Sequence, residues 1–160
     1  MSESNEAAVR AAVAAFNDPG GRERYFDLYA PDVVLHGYPG DLQGRDGVRS
    51  FYSQLWASFP DVRIDVEEIL ASGDRVASRY KLEGTQSGDF YGSPVSGRQT
   101  EIEGVIWLHF RDGVVVEAWQ VSTTLDVLTQ LSARAAKATP RPSASAAAAA
   151  LRWVEQHPST

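Results

Sequence analysis

The chain has 160 residues, which suits one domain and is too short for two ordinary ones. Hydrophobic residues make up 43% of it and aromatics 10%, enough to bury a real core, so wholesale disorder is excluded. Fifteen Lys and Arg against 21 Asp and Glu give a net charge of −6 and exclude the electrostatic footprint of a nucleic-acid binder.

Cysteine is absent, which excludes disulfides, thiolate nucleophiles and thiolate metal sites together. The N-terminus MSESNEAAVR is polar and acidic, without the cationic start and apolar stretch of a signal peptide. No run approaches the roughly 18 apolar residues that a membrane span needs. The expectation is a soluble cytoplasmic protein with neither a membrane nor a nucleic acid as partner.

In chain order, residues 4–17 carry Ala8, Val9, Ala12, Val13 and Phe16 at three- and four-residue spacing, an amphipathic helix. Asn17-Asp18-Pro19-Gly20-Gly21 stops it. A second helix is expected over residues 22–29, with Tyr25, Phe26, Leu28 and Tyr29 on or beside its apolar stripe. Ala30-Pro31-Asp32 ends it, and residues 33–36 read as a short strand. A third helix follows Gly44, with Val48, Phe51, Tyr52, Leu55 and Phe59 on one face and Pro60 closing it.

The pattern then changes to strands. Val62, Ile64, Val66 and Ile69 fit an extended segment ending in the turn Ala71-Ser72-Gly73-Asp74. Residues 75–84 form a long strand in which Val76, Ser78, Tyr80 and Leu82 alternate with Ala77, Arg79 and Lys81. Residues 86–97 hold three Gly, three Ser and one Pro and read as a loop over a sheet end. Residues 100–110 and 114–124 are strands joined by the hairpin signal Arg111-Asp112-Gly113. A helix over 125–137 closes the fold. Helices followed by antiparallel strands give an α+β domain, a curved sheet backed by helices whose apolar cone invites a ligand. The cone domain is expected over residues 1–137. Residues 138–160 form an Ala- and Pro-rich tail with a short helix ending near His157.

The segments LYAPDVVLHG (28–37), GRDGVRSFY (44–52), FPDVRIDVEEI (59–69), GDRVASRY (73–80), GTQSGDF (84–90) and FRDGVVVEAW (110–119) resemble the SnoaL-like polyketide cyclase family. That family belongs to the superfamily of ketosteroid isomerase and nuclear transport factor two. The likeness runs in order over about residues 5–131. It implies a helix-backed cone with an internal pocket, often a homodimer built on the outer face of the sheet. For the cyclases it implies ring closure of a polyketide intermediate without metal or organic cofactor. The same cone hosts isomerases, epoxide hydrolases and binders, so activity has to be argued from the site.

By the resemblance, the acid–base His of the cyclases falls at His109. An imidazole there either handles a proton in the cone or lies on the outer sheet face. The partner Asp, four residues after the strand Trp, corresponds to Thr123, counted from Trp119. Threonine cannot act as a carboxylate base at neutral pH. Glu117 and Glu103 are the candidate displaced bases if they face inward, and solvated strand residues if they do not. Gln86 stands where many members carry His in a GTHxG segment.

The remaining candidates are substrate contacts. His36 and Tyr38 follow the first strand, Arg79 lies on the long strand, and Tyr25, Tyr29, Trp56, Phe59, Phe90, Tyr91, Trp107 and Trp119 supply aromatic walls. Residues 88–97 are placed as a lid. With three His and no spaced carboxylate motif, no metal site is expected. The leading expectation is a cyclase acting on a hydrophobic, polyketide-like small molecule without a cofactor. Closure proceeds either by aldol chemistry through His109 or by a shape-guided [4+2] cycloaddition that needs no acid–base pair. An epoxide hydrolase-like enzyme and a non-catalytic binder of hydrophobic ligands are the alternatives.

Overall fold

The computed structural model describes residues 1–38 and 40–123. The expected closing helix over 125–137, the domain boundary at 137 and the tail lie outside the described residues. Helix α1 spans Ser2–Asn17 and buries Val9, Ala12, Ala15 and Phe16, the periodic face of the sequence. The segment Arg22–Leu28 is a 3₁₀ helix. Three residues per turn align Tyr25 with Leu28, and both are buried.

Strand β1 is Tyr29–His36 and begins four residues earlier than the sequence suggests. Its pairing is irregular between Tyr29 and Val34, around Pro31, which has no amide hydrogen to give to a ladder. The two-residue β2, Leu42–Gln43, leads into α2, Gly44–Ser58. Then come β3, Arg63–Ser72; β4, Arg75–Thr85; β5, Gln99–Arg111; and β6, Val114–Ser122. β3 continues through Ala71 and Ser72, which the sequence suggested for the turn. Asp112 and Gly113 both have positive φ, 51° and 81°, so the β5–β6 hairpin turns with the twist that flanking strands require.

The sheet order is β2-β1-β6-β5-β4-β3, with β1 and β6 parallel and the other pairs antiparallel. The sheet is curved and unclosed, and the helices cover its concave side. Bulges help to bend it: β3 and β4 shift register between Val66 and Glu68, and β5 and β6 between His109 and Phe110. The core lies between this concave face and the helices, where Phe16, Phe26, Tyr29, Val48, Leu35 and Leu108 are almost wholly buried.

Strand parity decides which side chains enter that core. On β5, Ile102, Leu108 and Phe110 are buried, while Glu103, Val105 and Trp107 are exposed. His109 shares the outward parity, so its ring lies on the convex face, as do Glu103 and Trp107. Four large apolar side chains, Ile102, Ile106, Leu108 and Phe110, claim the concave side, and a strand presents only alternate residues to it. On β6 the bulge places one extra residue, Val116, between the pairs His109–Glu117 and Phe110–Val115. Val115 and Ala118 therefore both turn inward, and Glu117 and Trp119 turn outward.

Candidate active site: a cavity walled by tyrosines

A cavity opens between the concave face of the sheet and the helices, with about 790 Å³ of atom-free space including its mouth. β3 gives it Ile64 and Val66, β4 gives Ser78, Tyr80 and Leu82, and β5 gives Ile102, Ile106 and Leu108. α1, the 3₁₀ helix and α2 close the other side, chiefly with Val9, Val13, Tyr25, Phe51 and Tyr52. Among the described residues the wall is apolar apart from five phenols, one serine and one amide. Among the described residues no carboxylate, imidazole, ammonium or guanidinium lines it.

The phenols are organised. Tyr25 and Tyr29 hydroxyls are 2.8 Å apart, and those of Tyr38 and Tyr52 are 2.9 Å apart. Burial pushes the Tyr25, Tyr29 and Tyr38 phenols well above their ordinary range; neighbouring phenols add to the effect at Tyr25 and Tyr38, while at Tyr29 the hydrogen bond with Tyr25 opposes it. Burial raises Tyr52 as well, but hydrogen bonds from Tyr25, Tyr38 and Tyr29 pull it back. All four stay protonated at neutral pH and act as hydrogen-bond donors, not bases. The second polar cluster is on the sheet, where the Tyr80 hydroxyl donates to Gln120 Oε1 at 2.9 Å.

Of the residues singled out in the sequence, Tyr25, Tyr29, Tyr38 and Phe90 line this cavity. Trp56 and Phe59 stand behind the wall. Trp56 packs on Phe16, Tyr25, Phe26 and Tyr52, with ring centroids 5.2–6.0 Å away, and Phe59 packs on Phe90 at 5.4 Å. Tyr91 is partly exposed beside Phe51 and Phe90.

The other residues singled out in the sequence lie on the convex face, away from this cavity. His109 Nε2 lies 3.0 Å from Asp74 Oδ2. Glu117 Oε1 lies 3.0 Å from His36 Nε2, and Asp41 Oδ2 lies 3.2 Å from His36 Nδ1. The His36 ring stacks on Trp119 at 5.3 Å. Glu117 first, and Asp41 with it, raise the His36 imidazole above its ordinary value against the opposing effect of burial. Arg79 pairs with Glu67 and Glu68, and Glu103 with Lys81 at 3.3 Å. Thr123 extends the β5–β6 ladder: its amide donates to Glu103 O at 2.9 Å, and its hydroxyl accepts from Glu103 N at 3.1 Å.

Tyr52, Tyr80, Ser78 and Gln120 are the cavity groups that were not among the sequence candidates. The available signal was parity: Ser78 and Tyr80 alternate with Arg79 and Lys81, so polar groups sit in the inward set. Gln86 has a structural role. It is wholly buried, donates from Nε2 to Ser93 O at 3.0 Å and accepts from Ser96 Oγ at 2.7 Å, which ties the 86–98 loop down. Phe90 of that loop reaches the cavity wall. Among the described residues no three His, Asp or Glu side chains are grouped as metal ligands, and no helix is long and apolar enough to cross a membrane.

The cavity and the curved sheet have close counterparts among solved structures. IdmH, a candidate polyketide cyclase from Streptomyces antibioticus, is 34% identical over 80% of this chain and 98% of its own, with a TM-score of 0.67. AclR, a candidate hydroxylase from Streptomyces galilaeus, is 29% identical over 82% of this chain and 98% of its own, with a TM-score of 0.72. A SnoaL-like polyketide cyclase candidate from Jannaschia sp. CCS1 is 25% identical over 83% and 94% respectively, with a TM-score of 0.74. No curated protein sequence matches the chain. The family model for SnoaL-like polyketide cyclases matches residues 6–131, and the chain belongs to that family.

Proposed function

We propose that the protein is a polyketide-type cyclase that closes a ring in a hydrophobic linear intermediate by folding it inside the tyrosine-walled cavity, through a [4+2] cycloaddition. One observation carries this reading: among the described residues, the cavity wall offers neutral hydrogen-bond donors and no ionisable acid–base pair. In such a closure four π electrons of a diene and two of an alkene become two new σ bonds and one new π bond. No proton or electron enters or leaves, so neither a base nor a cofactor is required. The apolar walls bring the reacting ends together, and preorganisation of this kind lowers barriers by up to about 7–11 kcal/mol at its best. A phenol donating to a carbonyl conjugated with the alkene lowers the barrier further by withdrawing electron density.

An aldol closure through His109 has no support in this geometry, because the imidazole and the cavity are on opposite faces of the sheet. Hydroxylation, the activity named for AclR, and epoxide opening both call for a charged relay that the described residues of the wall do not offer. We infer further that two copies pair through the convex face, where Trp107 faces Trp119 and Val105 faces Val121 across β5 and β6, all exposed.

The test is turnover of a synthetic linear polyene–ketone by the wild type and three variants. Wild type is expected to accelerate ring closure, with a rate flat between about pH 6 and 9 because no cavity group among the described residues titrates there. His109→Ala and Glu117→Gln should stay within about twofold of wild type, and Tyr52→Phe should fall about tenfold through loss of a donor. A bell-shaped profile, or a loss of about a hundredfold in His109→Ala, would overturn the pericyclic reading.

A further inference from the structure

The sheet side of the cavity contains a carboxamide held in a fixed orientation. Gln120 shares the inward parity of Ala118 on β6, and its side chain lines the cavity. Its oxygen is occupied by the Tyr80 hydroxyl at 2.9 Å. Its amide nitrogen carries two N–H donors and has no hydrogen-bond partner among the described residues. Ser122, the next inward residue, hydrogen-bonds to the Tyr80 phenol. Ser122, Tyr80 and Gln120 thus form a chain in which each link polarises the next.

The sequence makes room for this arrangement. Tyr80 pairs with Gly104 across β4 and β5, and Gly104 pairs with Ser122 across β5 and β6. A Cβ on Gly104 would lie 2.6 Å from the Tyr80 hydroxyl oxygen, 2.7 Å from its Cζ and 3.0 Å from Ser122 Cβ. Any side chain there would displace the phenol from Gln120. The bare backbone at Gly104 is what lets Tyr80 lie across the sheet and hold the amide.

We propose that Gln120, oriented by Tyr80, donates an amide N–H to a carbonyl oxygen of the substrate, so that the cavity selects linear apolar chains bearing a carbonyl at the sheet end. This rests on the cyclase reading and names the substrate class for the same site. Gln120 is the contact residue, and Tyr80 is a positioning residue that acts through it. The four phenols on the helix side form a second polar region, and the hydrocarbon part of the chain lies against the apolar walls between the two.

The experiment compares affinities for two probes, a linear conjugated polyenone and the same polyene with its carbonyl replaced by methylene. Wild type is expected to prefer the polyenone by about tenfold or more, the effect of one well-placed hydrogen bond in an apolar site. In Gln120→Leu the ratio should fall to about one while affinity for the hydrocarbon probe holds or rises. Tyr80→Phe leaves the carboxamide in place but unfixed, and should reduce the ratio about threefold with little change in hydrocarbon affinity. A merely structural role would weaken both probes equally and leave the ratio alone. An unchanged ratio in Gln120→Leu overturns the proposal, and so does a wild type without preference. If neither probe binds wild type, this inference and the cyclase reading fail together. If the ratio behaves as stated but wild type closes no ring, the carbonyl site stands and the cyclase reading alone falls.

Discussion

The two faces of the sheet are made from the same strands and have opposite chemistry. The convex face carries the ionisable groups: Arg79 between Glu67 and Glu68, Lys81 among Glu67, Glu101 and Glu103, His109 beside Asp74, and His36 between Glu117 and Asp41. The concave face carries phenols, a serine and an amide in an apolar wall. An isolated charge on the concave side would cost several kcal/mol of desolvation, with no counter-charge among the described residues that line it. The difference constrains the chemistry of the site. A wall whose described polar groups are all neutral favours reactions that neutral donors and shape can promote.

The strongest way to break that separation is to place a charge on the wrong side. Leu108 is 2% exposed at the cavity wall, one residue from His109. Leu108→Asp is expected to destabilise the fold by more than about 4 kcal/mol, since it removes a core side chain and buries an unpaired carboxylate. His109→Asp, the adjacent substitution on the convex face, should cost no more than about 1 kcal/mol. Denaturant unfolding of the two variants measures the contrast directly, and equal losses would mean that the faces are not so distinct.

A smaller effect is expected from the apolar part of the convex face. Trp107 and Trp119 are 47% and 43% exposed and paired across β5 and β6, with Val105 and Val121 beside them. Contiguous exposed apolar area of this kind marks an association surface. If two copies pair there, Trp107→Ser with Trp119→Ser should weaken self-association about a hundredfold, as loss of central aromatic anchors does. Sedimentation equilibrium of wild type and the double variant checks it, and a wild type that is monomeric at every concentration removes the surface from this role.

Much of this architecture was legible in the sequence. The helical spacing of Val9, Ala12 and Phe16, the Asp112-Gly113 turn and the alternation of Val76, Ser78, Tyr80 and Leu82 each follow from local rules, and the structure follows them. The site was less legible, because the face on which a strand residue lies depends on long-range packing. His109 and Trp107 drew attention by residue type, yet the bulk of Ile102, Ile106, Leu108 and Phe110 decided which parity of β5 faces the core. The extra residue at Val116 that rephases β6 leaves no mark in its composition. Residue type also misdirects at Gln86, which occupies a loop position associated with a polar His but spends both ends of its amide on Ser93 and Ser96. Phenols are the reverse case: Tyr52 and Tyr80 look like ordinary core aromatics until the fold brings their hydroxyls to one cavity.

The mildest test concerns His36, whose behaviour should contrast with a cavity whose described residues do not titrate near neutrality. Its ring lies between Glu117 and Asp41 and stacks on Trp119 with the planes 21° apart, all of which favour the imidazolium. The folded state therefore holds the proton more tightly than the unfolded chain, whose His titrates near about 6.5. A raised folded value means that the stabilisation is fully present below about pH 6.5 and is lost as pH rises through the folded value. Solvent screening keeps it small, so the expected signature is a Tm difference between wild type and His36→Gln of at most a few degrees. That difference should be present in mildly acidic buffer and vanish in mildly alkaline buffer. A difference that does not change with pH would assign the contribution of His36 to its stacking on Trp119 instead of its charge. If ring closure stays flat over the range in which this stability difference disappears, the proton on His36 belongs to the convex face and has no part in the chemistry of the cavity.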